Sequence, residues 1–579
     1  MQTNTLKVLS LAVGATVLLT ACDGLGKMIK KQNLITYEVT PKPLEMHGDS
    51  VGVTISGKYP AKLFAKKAVV TVTPVIKYGS GEKTLKPVTL VGEKATGSGQ
   101  KISYEKGGTF TYTDKVGYDP GMKVAKLEIR AQGAVKKKTK DFKGTEIADG
   151  TIITPLLVRN DEKGIFAKDA FVKVTAMNQT ANIYYVINQS VVRPSEMKSE
   201  EMKSLQNFIT SNASNTMWFD FKGIEVSAYA SPDGELTLNA KLAENRAKSG
   251  SDALRSEFKK VKDKSFTFGK DETAYKVVTT AEDWDGFKKL MESSSIADKD
   301  LVLRVLSMYA DPVQREKEIK NLSKTYKEVA DQILPKLRRS VLTVIVDKKS
   351  RTDEMITRLA STNPDSLSIE ELLYGATLTQ DVNTKMNIYK AAEKQYASDW
   401  RASNNLGVTY LMTNKIDDAK AAFERANKAS ANNPIVMNNM GAVVAKSGDR
   451  RAAMDYYNKA NGAGPEVNYN KGIVLVRDGK YADAVSAMGS YKGFNLALAQ
   501  MLNGSAESVN GTIDASTEKD MAMSYYLKAI AAARKGDATN GLAALKTAIE
   551  KDGSLKAMAK DDCEFLKWRD NADFKGLTS

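Results

Sequence analysis

The stretch Gly407 to Ala426, GVTYLMTNKIDDAKAAFERA, returns as Gly441 to Ala460, GAVVAKSGDRRAAMDYYNKA. Gly407, Ala419, Phe423 and Ala426 recur 34 residues later as Gly441, Ala453, Tyr457 and Ala460. A third copy keeps Gly472, Ala484 and Met488 after a spacing of 31, and a more degenerate one keeps Ala529, Gly541, Leu545 and Ala548. Each copy has a turn near its middle: Thr413-Asn414-Lys415, Ser447-Gly448-Asp449, Asp478-Gly479-Lys480 and Lys535-Gly536-Asp537. Small residues at fixed positions let two helices approach, and the large residue fills the gap to the next unit. Such units bury their apolar faces only by stacking, so residues 366–579 are expected to form an all-α solenoid with a concave groove.

Spacing, small-residue positions and Pro434 resemble the tetratricopeptide repeat, whose period is 34. That resemblance implies an interaction scaffold with protein partners. Asn405, Asn439 and Asn470 fall at one repeat position, on the first helix of each unit, facing the groove. Their amides suit the backbone of an extended peptide or, equally, the neighbouring repeats.

Upstream, the pattern is mixed α and β. Asn182-Ile183-Tyr184-Tyr185-Val186-Ile187, Gly223 to Ala230 and Ser340 to Val346 read as strands, with helical runs at Glu196–Ile209, Leu236–Phe258 and Asp283–Ile333. Ala228-Tyr229-Ala230-Ser231-Pro232-Asp233-Gly234, then Asn239 to Ala247 containing Leu242 and Arg246-Ala247, resemble the OmpA-like peptidoglycan-associating domain. Arg338-Arg339 resembles its closing Arg-Arg segment. The resemblance spans about residues 181–347, with a helical insertion at 265–335. It implies a loop carboxylate and a helix arginine that clamp the zwitterionic end of a peptidoglycan stem, the arginine by bidentate contact with carboxylate. Arg246 matches the arginine. In the Asn239 register the aspartate position falls on Ser231, so either Asp233 substitutes or the site is lost. In the latter case the domain is a scaffold with Asp233 capping the next helix and Arg246 on its surface.

Residues 35–180 read as β. Val51 to Ser56, Val69 to Ile76 and Val124 to Arg130 alternate with period two, and the turn clusters Tyr78-Gly79-Ser80-Gly81 and Tyr118-Asp119-Pro120-Gly121 separate them. Short strands at regular spacing suggest a sandwich, as one unit or as two small β units. Gly79-Ser80-Gly81-Glu82-Lys83-Thr84 has the wrong spacing for a phosphate loop and reads as a hairpin turn. Lys136-Lys137-Lys138-Thr139-Lys140 reads as an exposed strand edge that lysines guard against association.

At the start, Lys7 precedes the apolar run Val8 to Leu19, which the tetrad Leu19-Thr20-Ala21-Cys22 closes. A basic start, a short apolar run and small residues mark a secretory signal, here residues 1–21. The run is shorter than the roughly 20 residues a spanning helix needs. The Cys after the small residues resembles the lipobox of bacterial lipoproteins, which implies a covalent lipid on Cys22 and a lipidated tether over 22–34. Surface lipoproteins of the Bacteroidetes group resemble one another in an acidic run after that Cys. Here Lys27, Lys30 and Lys31 follow instead, and the expected location is the periplasm-facing leaflet of an outer membrane, with surface exposure left open.

Two Cys and one His, His47, in 579 residues exclude a disulfide framework and leave His-based metal or triad chemistry almost nothing to work with. The net charge of +16 favours anionic partners, and no nucleic-acid motif accompanies it. Adjacent acids such as Asp561-Asp562 read as solvated surface rather than a hydrolase pair. No cofactor, metal or catalytic residue is expected. The sequence therefore describes a non-enzymatic outer-membrane lipoprotein, an adaptor between protein partners and the cell wall. The alternative is an accessory lipoprotein of an outer-membrane secretion, insertion or import machine that binds no peptidoglycan.

Overall fold

A computed structural model describes residues 23–79 and 81–579. Cys22 and the signal segment lie outside the described residues. The chain divides into two compact units: residues up to 168 together with 380–579, and residues 169–379.

The first unit opens with helix α1 (Asp23–Lys30), whose Leu25 and Met28 are buried. Strands β1 (Thr36–His47), β2 (Ser50–Tyr59), β3 (Val69–Tyr78), β4 (Gly81–Thr84), β5 (Val88–Gly92), β6 (Gln100–Ile102), β7 (Gly108–Gly117), β8 (Ala125–Val135), β9 (Lys138–Asp141), β10 (Thr145–Asp149) and β11 (Thr151–Ile152) follow. One sheet has the order β11-β1-β2-β7; the other runs β10-β8-β3-β5-β6, with β4 on β3 and β9 on β8. Alternate residues such as Val51, Val53 and Ile55 of one sheet and Val70, Val72 and Leu127 of the other share one apolar core. This is the inward/outward alternation of a sandwich. Of the phosphate-loop lookalike, Gly81–Thr84 is strand β4, antiparallel to β3, with Tyr78 opposite Gly81.

Two boundaries read from sequence are corrected here. Residues 23–34 of the expected tether 22–34 are no free tether, because Leu25 and Met28 sit in the sandwich core and the Met28 sulfur accepts from the Ala65 N–H. The β region does not run to 180. Its strands end at Ile152, and residues 158–172 form no strand or helix.

The unit resumes in helices. Val382–Gln395 leads into the antiparallel pairs Trp400–Met412/Ile416–Ala429, Pro434–Lys446/Arg450–Lys459, Glu466–Arg477/Tyr481–Met488, Phe494–Leu502/Ser508–Asp514 and Ala522–Lys535/Ala538–Lys551. The pair at 494–514 is one the repeat pattern did not reveal. A Cβ placed on Gly407 would lie 2.5 Å from Phe423 Cε1, and one on Gly441 2.6 Å from Tyr457 Cε1. Only glycine lets the second helix bring its aromatic ring that close.

The sandwich and the helical array of this unit are joined by buried charge. Arg534 Nη2 lies 2.6 Å from Glu564 Oε1 and 3.1 Å from Glu45 Oε1, and the Thr154 hydroxyl donates to Glu564. His47 lies edge-on to Tyr481, ring centroids 4.8 Å apart. Asp562 is buried too, accepting from Tyr526 Oη at 2.8 Å and from the Glu564 N–H at 3.0 Å. The solvated reading of Asp561-Asp562 therefore fails for its second member.

The second unit centres on β12 (Val174–Tyr184), β13 (Phe219–Tyr229), β14 (Tyr275–Thr280) and β15 (Arg339–Lys349), in the order β12-β15-β13-β14. Only the β13–β14 pair is parallel. Helices α2 (Glu200–Ala213) and α3 (Leu236–Lys259) share its core: Leu205, Ile209, Leu254 and Phe258 bury with Val226, Leu342 and Val344. The unit exceeds the expected span 181–347 at both ends. Strand β12 pairs with β15 from Val174 onward, and the helices Asp353–Thr362 and Ile369–Thr377 fall on its side of the division, so the array does not begin at 366. The insertion at 265–335 is not wholly helical, since β14 lies within it.

Candidate functional site

The groove of the repeat array is occupied, and the occupant is the chain itself. Residues 159–167, Arg-Asn-Asp-Glu-Lys-Gly-Ile-Phe-Ala, cross the first helices of successive repeats as an extended strap. An extended backbone without a partner strand exposes every N–H and C=O, and burying them unpaired costs free energy. Asparagine amides satisfy them here. Asn405 Oδ1 accepts from the Ala167 N–H at 2.7 Å, and its Nδ2 donates to Ala167 O at 2.9 Å. Asn439 grips Ile165 in the same way at 2.8 and 2.9 Å, and Asn470 grips Lys163 at 2.7 and 2.9 Å. The strap advances two residues per repeat, the period at which an extended chain presents equivalent groups.

Three residues complete the ladder. Asn495 grips Arg159 at 2.8 and 3.0 Å. Asn404 and Asn438, each one position before a gripping asparagine, donate to Ile165 O and Lys163 O at 3.1 and 3.0 Å. Neighbouring repeats are linked by the same groups: Asn439 Nδ2 donates to Asn404 Oδ1 at 2.9 Å and Asn470 Nδ2 to Asn438 Oδ1 at 3.0 Å. Asn439 and Asn470 thus bond both the strap and the neighbouring repeat, while Asn405 bonds the strap and Asn404 of its own helix. Between Lys163 and Arg159 the strap takes four residues instead of two, and Asp161 fills the gap by accepting from Tyr469 Oη at 2.7 Å and Asn495 Nδ2 at 2.9 Å.

Side chains add to the grip. Phe166 stacks on Tyr389, ring centroids 6.0 Å apart, and Ile165 packs beside Val436, Met437 and Val467. Arg159 pairs with Glu518, and Lys446 Nζ donates to Asn160 O at 2.6 Å. Glu162 is buried 3.4 Å from Lys446 Nζ. The Tyr457 hydroxyl is raised well above its ordinary range, by burial first and then by the Glu162 charge.

In the second unit, the loop after β13, the start of α3 and the start of β15 converge. Asn239 Nδ2 donates to Ser231 O and Gly234 O, both at 3.1 Å. Arg338 donates from Nε to Ser231 Oγ at 3.1 Å and from Nη2 to Asp233 Oδ2 at 3.0 Å. Asp233 does not cap α3, whose N-cap is Glu235. Nor is Arg246 on the surface: at 1% exposure it donates to Gln189 O and Tyr229 O, both at 3.0 Å, beneath the Tyr185 ring. Burial pushes its guanidinium down to about 10, with Arg338 contributing in the same direction. Arg338 alone bonds the Asp233 carboxylate, and Arg246 is held by backbone carbonyls.

Among the described residues, no cluster of His, Cys, Asp and Glu suits a metal ion, and no helix is long and apolar enough to cross a membrane. Cys563 is buried and free.

The tetratricopeptide repeat family matches residues 387–434. Curated proteins yield no match. Among solved structures the chain is similar to YrrB, a tetratricopeptide-repeat protein with an unusual peptide-binding site, at 19% identity over 35% of this chain and 94% of that one, with a TM-score of 0.20. It is similar to yeast Tom70 at 10% identity over 66% and 92%, TM-score 0.26. Against the Cut9–Hcn1 hetero-tetramer of the APC/C the values are 12% over 65% and 68%, TM-score 0.31. The family match at residues 387–434 falls within the C-terminal helical region, which is built of successive antiparallel helix pairs.

Proposed function

We propose that this chain is a non-enzymatic outer-membrane lipoprotein, acylated on Cys22, that works as a periplasmic adaptor. The strap carries the scaffold part of this reading. It fills the groove that a repeat array would offer an extended peptide, and it is tied to the array by the same chain. An intramolecular segment acts at an effective concentration in the millimolar range, so a free peptide gains little from competing. The array is then a closed structural element that holds the sandwich to the repeats, and protein partners dock on its remaining faces. Cys22→Ser tests the anchor. The variant is expected to be washed from the outer membrane by carbonate, which strips peripherally held protein, and retention in carbonate-washed outer membrane would refute acylation as the anchor.

Peptidoglycan attachment through the second unit is the finer part of the proposal. The excess of guanidinium over carboxylate around Ser231, Asp233, Asn239, Arg246 and Arg338 supports a carboxylate-bearing ligand. The neutralisation of Asp233 by Arg338 favours the accessory-factor alternative. Sedimentation with diaminopimelate-containing sacculi decides between them. Binding by the wild type, weakened roughly tenfold or more in Asp233→Asn through loss of a charge-assisted contact, supports attachment. No sedimentation of the wild type leaves the accessory-factor reading.

A further inference from the structure

The sequence has two lysine clusters far apart, Lys27-to-Lys31 and Lys136-to-Lys143, and the fold joins them. Gly133 lies beside Leu25: a Cβ built there would be 2.8 Å from Leu25 Cδ2 and 3.0 Å from Phe142 Cε2. Gly133 pairs with Lys140 in the β8–β9 hairpin, so α1 rests on that hairpin. The turn after α1 is fastened to the same segment, since Gln32 Nε2 donates to Lys143 O at 2.8 Å and the Lys143 N–H donates to Gln32 Oε1 at 3.1 Å. Lys27, Lys30 and Lys31 are exposed. So are Lys136, Lys137, Lys138, Lys140 and Lys143, against one acid, Asp141, in residues 134–144. Lys136 holds φ at +53°, a conformation that glycine or asparagine adopts at less cost.

We propose that this joined lysine surface is a docking face for a bilayer bearing anionic phosphate headgroups. The choice of occupant rests on the acylation of Cys22 argued above, since one peptide bond joins Cys22 to Asp23 at the head of α1. Distance makes the fold matter. A free tether of about 13 residues would let the body drift roughly 20 Å from its anchor, beyond the Debye length of about 8 Å at physiological ionic strength. A helix packed into the sandwich spans only about 12 Å and has no slack. The lysines are held where headgroup charge is still felt, and the lipid and the basic face act as two linked attachments.

The test removes the lipid. Chain 22–579 carrying Cys22→Ser is sedimented with vesicles of equal parts phosphatidylglycerol and phosphatidylethanolamine, and with vesicles of phosphatidylcholine alone. Binding is expected to the first only, and to fall steeply with added salt. Each lysine near an anionic surface contributes about fivefold. The triple variant Lys27→Ala, Lys30→Ala, Lys31→Ala should therefore bind about a hundredfold more weakly. The triple variant Lys136→Ala, Lys137→Ala, Lys138→Ala should lose as much, with unchanged circular dichroism in both. Equal binding to the two vesicle types overturns the proposal. So does hairpin-variant aggregation with undiminished vesicle binding, which would make those lysines guards of the β9 edge. Because this protein carries no acyl chain, failure here leaves the fractionation result for Cys22→Ser standing, and failure there leaves this one.

Discussion

Asn439→Leu will open the strap. Leucine keeps the branched shape and heavy-atom count of asparagine, but its methyl groups are bulkier, so it removes the hydrogen bonds and also crowds the strap. Asn439 is fully buried. Its amide serves the Ile165 N–H and C=O, Asn404 Oδ1 and Asn438 Nδ2, all at 2.8–3.0 Å. Leucine serves none of them. A buried polar group left unpaired costs roughly 1–3 kcal/mol, so four partners partly relieved by rearrangement lose about 3–6 kcal/mol. The cheapest relief is to release the strap to water. A loss of about 4 kcal/mol raises the open population about a thousandfold. Trypsin should then cut after Arg159, Lys163 or Lys168, with the site read by mass spectrometry, far faster than in the wild type. Strap cleavage at the wild-type rate would show that the side chains of Ile165 and Phe166, not the ladder, hold the segment.

The same ladder shows what sequence can and cannot disclose. Asn405, Asn439 and Asn470 stood out because the repeat places them in register. Asn495 did not, because its unit arrives early and its motif, Phe494-Asn495-Leu496, lacks the glycine that marks the others. Asn404 and Asn438 were hidden by adjacency, since a residue next to a groove position normally faces elsewhere on a helix. The strap had no signal of its own: residues 159–167 carry neither helical nor strand periodicity, and their partners lie hundreds of positions downstream. Helix α1 was missed for a related reason. Eight residues are too few to form a helix alone, and only the finished sandwich offers Leu25 and Met28 a core. By contrast, Val51 to Ser56 and Ser340 to Val346 were legible as strands because burial alternates along each. Around the second unit's site, sequence brought Ser231, Asp233, Asn239 and Arg246 together. It did not reveal that Arg338, more than a hundred residues later, would already neutralise Asp233.

Arg534→Ala should loosen the union of sandwich and array. The Glu564 side chain is 2% exposed, and Arg534 reaches it from Nε at 3.1 and 2.9 Å and from Nη2 at 2.6 Å. Burial opposes the charge of Arg534, yet its bonds to Glu564 and Glu45 carry it above the ordinary value. Removing the guanidinium leaves a buried carboxylate with the Thr154 hydroxyl as its remaining side-chain donor. Breaking a buried pair this way costs about 3–5 kcal/mol, enough to shift chemical denaturation decisively. Arg450→Ala is the control. It also joins array to sandwich, through Asp49 at 2.9 Å, but Asp49 is 73% exposed, and exposed pairs contribute about 0–1 kcal/mol. The pH dependence follows from the orphaned acid. Burial raises the Glu564 carboxyl, and in the wild type the bonds from Arg534 oppose that rise. Without Arg534 that rise loses its main opposition, and the folded state holds the proton of Glu564 still more tightly relative to the unfolded chain. The deficit is then full above the raised folded value and is lost as pH falls through that value toward the lower unfolded one. Adding Glu564→Gln to Arg534→Ala removes the charge that needs a partner and should restore much of the loss at pH 7. A double variant as unstable as the single one would show that Arg534 acts by packing its side chain between sandwich and helices rather than by neutralising Glu564.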